Sequence, residues 1–185
     1  MTQDLIRTSR LTLLPGTIES LRADLIGRSA LQDVLGIRVA EPWPPELYDP
    51  AAIAFTIQRL QQFPEERNWW FHYFVLHTEQ PPVAVGVGGF KGLPSLDGYV
   101  EIGYSIVSTY RRQGFATEAA QGMVQHALKD REVKCVVAHT MRGETASREV
   151  LTRSGFDYCG LSERPGVDRY ECRRESATGS AAGAG

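Results

Sequence analysis

The run Glu101-Ile-Gly-Tyr-Ser-Ile-Val-Ser-Thr-Tyr-Arg-Arg-Gln-Gly-Phe-Ala-Thr-Glu118 concentrates the chemistry of this chain. An apolar, strand-like stretch leads into a short basic loop with one glycine, and an amphipathic helix starts at once. Such a loop turns backbone N–H groups and the positive end of a helix dipole toward one point, and that point suits an anion. A nucleotide P-loop is excluded, because Gly114 is followed by Phe115-Ala116 and not by Lys-Ser or Lys-Thr. Gly86-Val-Gly88-Gly-Phe-Lys91 begins like a dinucleotide fingerprint. Its third glycine position is Lys91, however, and no helix signal follows, so it reads as strand packing.

Glu101 is the only carboxylate of the strand that opens this run, and by alternation it shares a face with Gly103 and Ser105. A carboxylate so placed is a candidate general base, acting directly or through a water. The alternative is a solvated glutamate at a strand start. His72, His77, His126 and His139 are scattered. His72 and His139 fall on predicted strands, where they either face a substrate or, as the commoner case, serve the structure. Trp69 and Trp70 read as packing residues, whereas Trp43 lies in the proline-rich loop Pro42-Trp-Pro-Pro45. Cys135, Cys159 and Cys172 match no common zinc spacing and read as small apolar residues on strands, so no metal is expected.

These residues need elements to position them. Arg10–Leu14 reads as a first strand, and Thr17 caps a helix that runs to about Leu35 and closes at Gly36. Residues 37–48 form a loop. Asp49-Pro50 starts a second helix, which Pro64 ends. Strands follow over 69–77, 83–90 and 99–107, then a helix from Ala116 to Leu128, a strand over 133–139, and a short helix from Thr145 to Gly155. Residues 156–161 and 167–172 read as a closing hairpin around Pro165-Gly166. The pattern is one α/β domain over residues 1–175, a mixed sheet with helices on its faces, followed by a low-complexity tail over 176–185 expected to be flexible.

Bulk properties narrow the classes. The 185 residues suffice for one domain with a sizeable core. The apolar fraction of 42% and charged fraction of 23% argue against disorder and against a membrane protein. A net charge of -2 with no long basic run gives no reason to expect nucleic acid as a partner. No stretch reaches membrane-spanning length, and the N-terminus lacks the apolar core of a signal peptide, so a reducing cytoplasm is expected.

Three segments carry a resemblance that covers roughly residues 8–172. Arg111, Gly114 and Ala116 stand in an R-x-x-G-x-A pattern, which resembles the acyl-CoA pyrophosphate loop of the GNAT N-acetyltransferases. Thr8-Ser-Arg-Leu-Thr-Leu13 is similar to the opening strand of their RimJ/RimL-like branch. Glu144-Thr-Ala-Ser-Arg-Glu-Val-Leu-Thr-Arg-Ser-Gly-Phe156 is similar to the family's N-x-x-S…L-x-x-x-G-F segment. The resemblance implies a GNAT-like, mostly antiparallel sheet flanked by helices. It also implies transfer of acetyl from acetyl-CoA, as co-substrate, to a primary amine on a protein, a peptide or a small molecule. It places the cofactor against Ile106, Val107, Arg111, Arg112, Gln113, Gly114, Phe115, Ala116 and Thr117, with an oxyanion-binding N–H near Ile106 or Val107. Ser147 is implied as a donor to the departing thiolate or to the cofactor, and Trp43 as lining the acceptor groove. Two departures stand out. Glu144 replaces the usual asparagine, and Leu151 sits where many members carry a tyrosine acid. A non-catalytic acyl-CoA-binding module and a pure interaction protein therefore remain as alternatives, and a homodimer stays open.

Overall fold

A computed structural model describes residues 5–174. The expected tail over 176–185 lies outside them. Fourteen regular elements follow in order: β1 (Ile6–Arg7), β2 (Leu11–Pro15), α1 (Ile18–Ile26), α2 (Arg28–Leu35), β3 (Arg38–Val39), α3 (Pro50–Gln62), β4 (Phe71–Leu76), β5 (Val83–Phe90), β6 (Tyr99–Ile106), α4 (Phe115–Ala127), β7 (Cys135–Met141), α5 (Thr145–Arg153), β8 (Asp157–Leu161) and β9 (Val167–Arg173). The strands form one sheet in the order β1-β2-β4-β5-β6-β7-β9-β8, with β3 beside β5. All pairings are antiparallel except β6 with β7 and β3 with β5.

Local chemistry accounts for most boundaries. Thr17 caps α1 in a reciprocal capping box with Ser20. Asp49 accepts from the Ala51 N–H at 2.9 Å, with Pro50 at the first helical position. The helix expected over 17–35 is two helices, because Gly27 adopts φ 144°, a value open to glycine alone. Pro64–Trp69 forms a 3-10 turn, so the strand expected from Trp69 begins at Phe71.

The sheet is covered on both sides. Leu21, Leu31, Ile53, Ile57 and Leu60 of α1–α3 pack on one face, over Tyr73 and Val87. Ala119, Ala120, Met123 and Val124 of α4 pack on the other, over Phe74, Phe90, Ile102 and Ile106. The glycines of β5 are packing residues, as their sequence suggested. A Cβ at Gly88 would stand 2.4 Å from the Gly103 carbonyl oxygen and 2.4 Å from the Phe74 ring.

Candidate active site

The site begins where two parallel strands part. β6 and β7 pair from Tyr99↔Cys135 to Ile102↔Ala138 and no further, although β6 runs on to Ile106 and β7 to Met141. The sheet therefore forks at Gly103 and His139. Along β6, Lys91 N–H bonds the Glu101 carbonyl and Val107 N–H bonds the Val85 carbonyl at 3.0 Å, so the odd-numbered residues spend their backbone groups on the β5 side. By alternation the N–H groups of Tyr104 and Ile106 point into the fork. Of the two oxyanion donors the resemblance implies, Val107 is thus already engaged, and Ile106 faces the opening.

The basic loop closes the end of the fork. The Arg111 side chain folds back, with Nε 2.9 Å from the Ile106 carbonyl oxygen and a second nitrogen 3.0 Å from Glu46. Arg112 and Gly114 hold φ of 60° and 82°, which turns the chain sharply into α4. No side chain caps α4, and Gly114 is its N-cap. The first-turn N–H groups of Phe115, Ala116 and Thr117 precede the first intrahelical bond, from Glu118 N–H to the Gly114 carbonyl at 3.0 Å. These groups fit an anionic phosphate.

This loop has an unforeseen buttress. The Glu118 carboxylate accepts from Thr8 Oγ1 at 2.5 Å, Ser9 Oγ at 3.1 Å, and the Arg10 N–H and Nε at 2.7 Å each. Arg10 also donates to the Gln113 carbonyl at 3.0 Å and lies over the Phe115 ring at 4.5 Å. The Thr8-Ser-Arg10 segment is therefore a clamp on the loop that leads into α4 as well as the approach to β2. Burial pushes the Glu118 carboxyl up, but its four donors outweigh this and hold it below the usual range.

Glu101 sits beside the fork, on the sheet face opposite the one that Ile102 and Ile106 present to α4. Lys91 Nζ bonds it, His139 Nδ1 lies 3.0 Å from Oε1, and Arg164 lies 3.7 Å away. Burial raises the Glu101 carboxyl, and the contacts of Lys91 and His139 more than reverse this, which holds it below the usual carboxylate range. The His139 contact has the distance of an ion pair but not the geometry of a good hydrogen bond. His139 is thus brought to the site, whereas His72 is fully buried, donates from Nδ1 to the Trp70 carbonyl at 3.1 Å, and is driven down to about 4 by burial.

On the opposite face, Tyr104 projects from β6 toward α5. Its hydroxyl lies 3.4 Å from the Ser147 carbonyl oxygen, and burial pushes the phenol up to about 12. Ser147 is half-buried there, and Leu151 packs into the core at 1% exposure. Glu144 makes no side-chain cap on α5. Tyr104 was missed from sequence, although the alternation Ile102, Tyr104, Ile106 placed it opposite Glu101. Trp43 lies half-buried over Tyr73, with ring centroids 6.5 Å apart, and donates to Asp24 Oδ1 at 2.8 Å. Ser105 Oγ bonds the Glu46 carbonyl, which ties the Trp43 loop to the end of β6.

Cys135 and Cys172 are buried on strands and Cys159 is exposed on β8, all of them free thiols. No group of three or more metal-ligating side chains occurs among the described residues. No described helix is long and apolar enough to cross a membrane.

A forked mixed sheet with an uncapped helix N-terminus at the end of the fork sets an anion-binding position beside the sheet opening. The acetyltransferase (GNAT) domain family matches residues 10–157, so the chain belongs to the GNAT acetyltransferases and is an acyltransferase. Over 72 residues it is 35% identical to the uncharacterized N-acetyltransferase YjdG of Bacillus subtilis, a stretch covering 39% of this chain and 43% of that protein. RimL, a ribosomal α-N-protein acetyltransferase solved with coenzyme A, superposes with a TM-score of 0.66 at 16% identity, over 94% of this chain and 99% of that one. A putative ribosomal-protein-serine acetyltransferase from Vibrio cholerae gives 0.63 at 18% identity, over 94% and 99%.

Proposed function

We propose that this protein is a RimJ/RimL-like N-acetyltransferase that moves acetyl from acetyl-CoA to a primary amine. The observation that carries this reading is the fork itself. What supports it is that the Ile106 N–H faces the fork, the uncapped α4 N-terminus follows the end of β6, and Glu101 lies on β6 where it still pairs with β7. The N–H groups from Arg112 to Thr117 would hold the pyrophosphate, and the thioester supplies an already activated acetyl group.

The chain's own residues then have limited work. Glu101 and His139 together take the proton that the attacking ammonium must lose. A carboxylate held below its usual range is a weaker base, and His139 Nδ1 stands 3.0 Å from it. Ile106 N–H donates to the oxyanion. Tyr104 and Ser147 stand where Leu151 supplies no acid, and their hydroxyls donate to the developing thiolate. Trp43 and its loop border the acceptor.

Leu151 favours a second reading, an acyl-CoA-binding module without turnover. Thiol release from acetyl-CoA with a mixed amine panel, run beside calorimetry of acetyl-CoA binding, separates the two. Release with an N-acetylated product supports the enzyme. Tight binding with no release by any amine supports the module.

A further inference from the structure

The face of the fork that carries Glu101 already holds a primary amine of the chain's own. Lys91 ends the run Gly86-Val-Gly88-Gly-Phe-Lys91, in which strand packing accounts for the glycines and not for the lysine. It directly follows β5, and its N–H bonds the Glu101 carbonyl at 2.9 Å, so Lys91 and Glu101 face each other across the β5–β6 ladder. Lys91 Nζ bonds Glu101 Oε1, and His139 Nδ1 stands 3.0 Å from the same oxygen. The Lys91 ammonium thus rests on the two groups assigned to take a proton from an attacking amine.

The side chain also runs toward the point where the sheet parts. Gly103 is the first residue of β6 beyond its pairing with β7. A Cβ added there would meet one atom within 4 Å, Lys91 Cε at 4.0 Å. Gly103 therefore puts no side chain between Lys91 and the fork. The Lys91 side chain is 54% exposed, an ion pair this exposed holds a lysine only weakly, and its flexible stem can swing Nζ from Glu101 into the opening. The other two lysines of the sequence, Lys129 and Lys134, are placed differently. Lys129 follows the C-terminal end of α4, and Lys134 precedes β7 with its N–H on the Gly98 carbonyl at 2.8 Å, so both lie at the end of the sheet away from the fork.

We propose that Lys91 is a self-acetylation site, its Nζ taking the acetyl group of acetyl-CoA held in the same molecule's fork. The inference rests on the N-acetyltransferase reading. The ammonium first gives a proton to Glu101 and His139, which frees the Nζ lone pair. The C–N bond then forms as the thioester C–S bond breaks. Nζ loses its second proton as the amide forms, and the departing thiolate takes up one proton. The products are acetyl-lysine, coenzyme A and one released proton, with no further reactant. Acetylation removes the charge of Lys91 and so strips Glu101 of one of the cations around it, leaving His139 and Arg164.

The test incubates the full-length protein with acetyl-CoA carrying an isotope-labelled acetyl group and maps the label by peptide mass spectrometry. Lys91 is expected to gain one acetyl group at least about tenfold faster than Lys129 and Lys134, because its amine is held beside the reacting carbon. With acetyl-CoA in excess, the rate per protein molecule should not change on dilution. Gly114→Val should remove the label from Lys91 and leave the slow labelling of the other two. Excess coenzyme A on the parent protein should do the same, and it serves if Gly114→Val does not fold. Labelling of Lys91 no faster than of Lys129 and Lys134, or labelling that persists under excess coenzyme A, overturns the proposal, and so does a rate that rises with protein concentration. The same samples carry a mixed amine panel in parallel. Acetylated amines with an unlabelled Lys91 overturn the self-acetylation and leave the transferase reading standing. No acetyl on any amine or lysine overturns both.

Discussion

Replacing Glu118 by glutamine should loosen the cofactor loop and the fold together. The substitution keeps an acceptor at Oε1 but puts an NH2 group against Arg10 Nε, which now stands 2.7 Å from Oε2. One charge-assisted bond is lost, about 1.5–3 kcal/mol, and the three bonds at Oε1 lose their ionic character. Arg10 is 40% exposed, so solvent screens part of this, and about 2–3 kcal/mol is the net expectation. For a chain of this size that lowers Tm by about 5–10 °C. The pH dependence has a definite sign. Because Glu118 is held below its ordinary value, its stabilisation is full above that value, about 4.3, and fades as pH falls through the lowered one. The gap between parent and variant should therefore close in acid. Arg10 also anchors the Gln113 carbonyl, so acetyl-CoA should bind several-fold more weakly to the variant. Urea unfolding at neutral and acid pH, with calorimetric titration of acetyl-CoA, checks both effects. Equal midpoints and equal affinities would refute the clamp.

Gly114→Val should abolish most of the thermal stabilisation by acetyl-CoA, since φ 82° is costly for a β-branched residue and a side chain there stands at the anion site. Glu101→Gln should lower turnover about 10²- to 10⁴-fold with little change in acetyl-CoA affinity, read by steady-state kinetics; an unchanged rate across pH makes Glu101 structural. Ser147→Ala and Tyr104→Phe should each slow turnover about ten- to a hundredfold where chemistry limits the rate. If only Tyr104→Phe does so, the phenol is the donor and Ser147 a helix residue. Gly88→Ala should lose several kcal/mol in denaturant unfolding, because its Cβ meets backbone oxygen at 2.4 Å in a paired sheet that has no slack.

The strand, loop and helix from Glu101 to Ala127 were legible because alternation gives way to a 3.6-residue period across one glycine. Alternation also placed Glu101, Gly103 and Ser105 on one face correctly. The break at Gly27 had a signal, a glycine inside a helical pattern, that the surrounding apolar spacing obscured. The approach of His139 to Glu101 had none, because it follows from the register of two parallel strands joined through α4. The same holds for the Glu118 clamp, whose partners lie 108 to 110 residues away. That Val107 spends its N–H on Val85 depends on hydrogen-bond parity in the β5–β6 ladder, which composition does not encode.

The central claim is that the β6–β7 fork brings acetyl-CoA and an amine together for transfer. Mass spectrometry of an amine panel incubated with acetyl-CoA, with thiol release followed in the same samples, tests it most directly. The account predicts an amine gaining one acetyl group, in step with thiol, and loss of both with Gly114→Val. Acetyl-CoA bound by the parent with no acetylated amine, or acetylation undiminished by Gly114→Val, would contradict it.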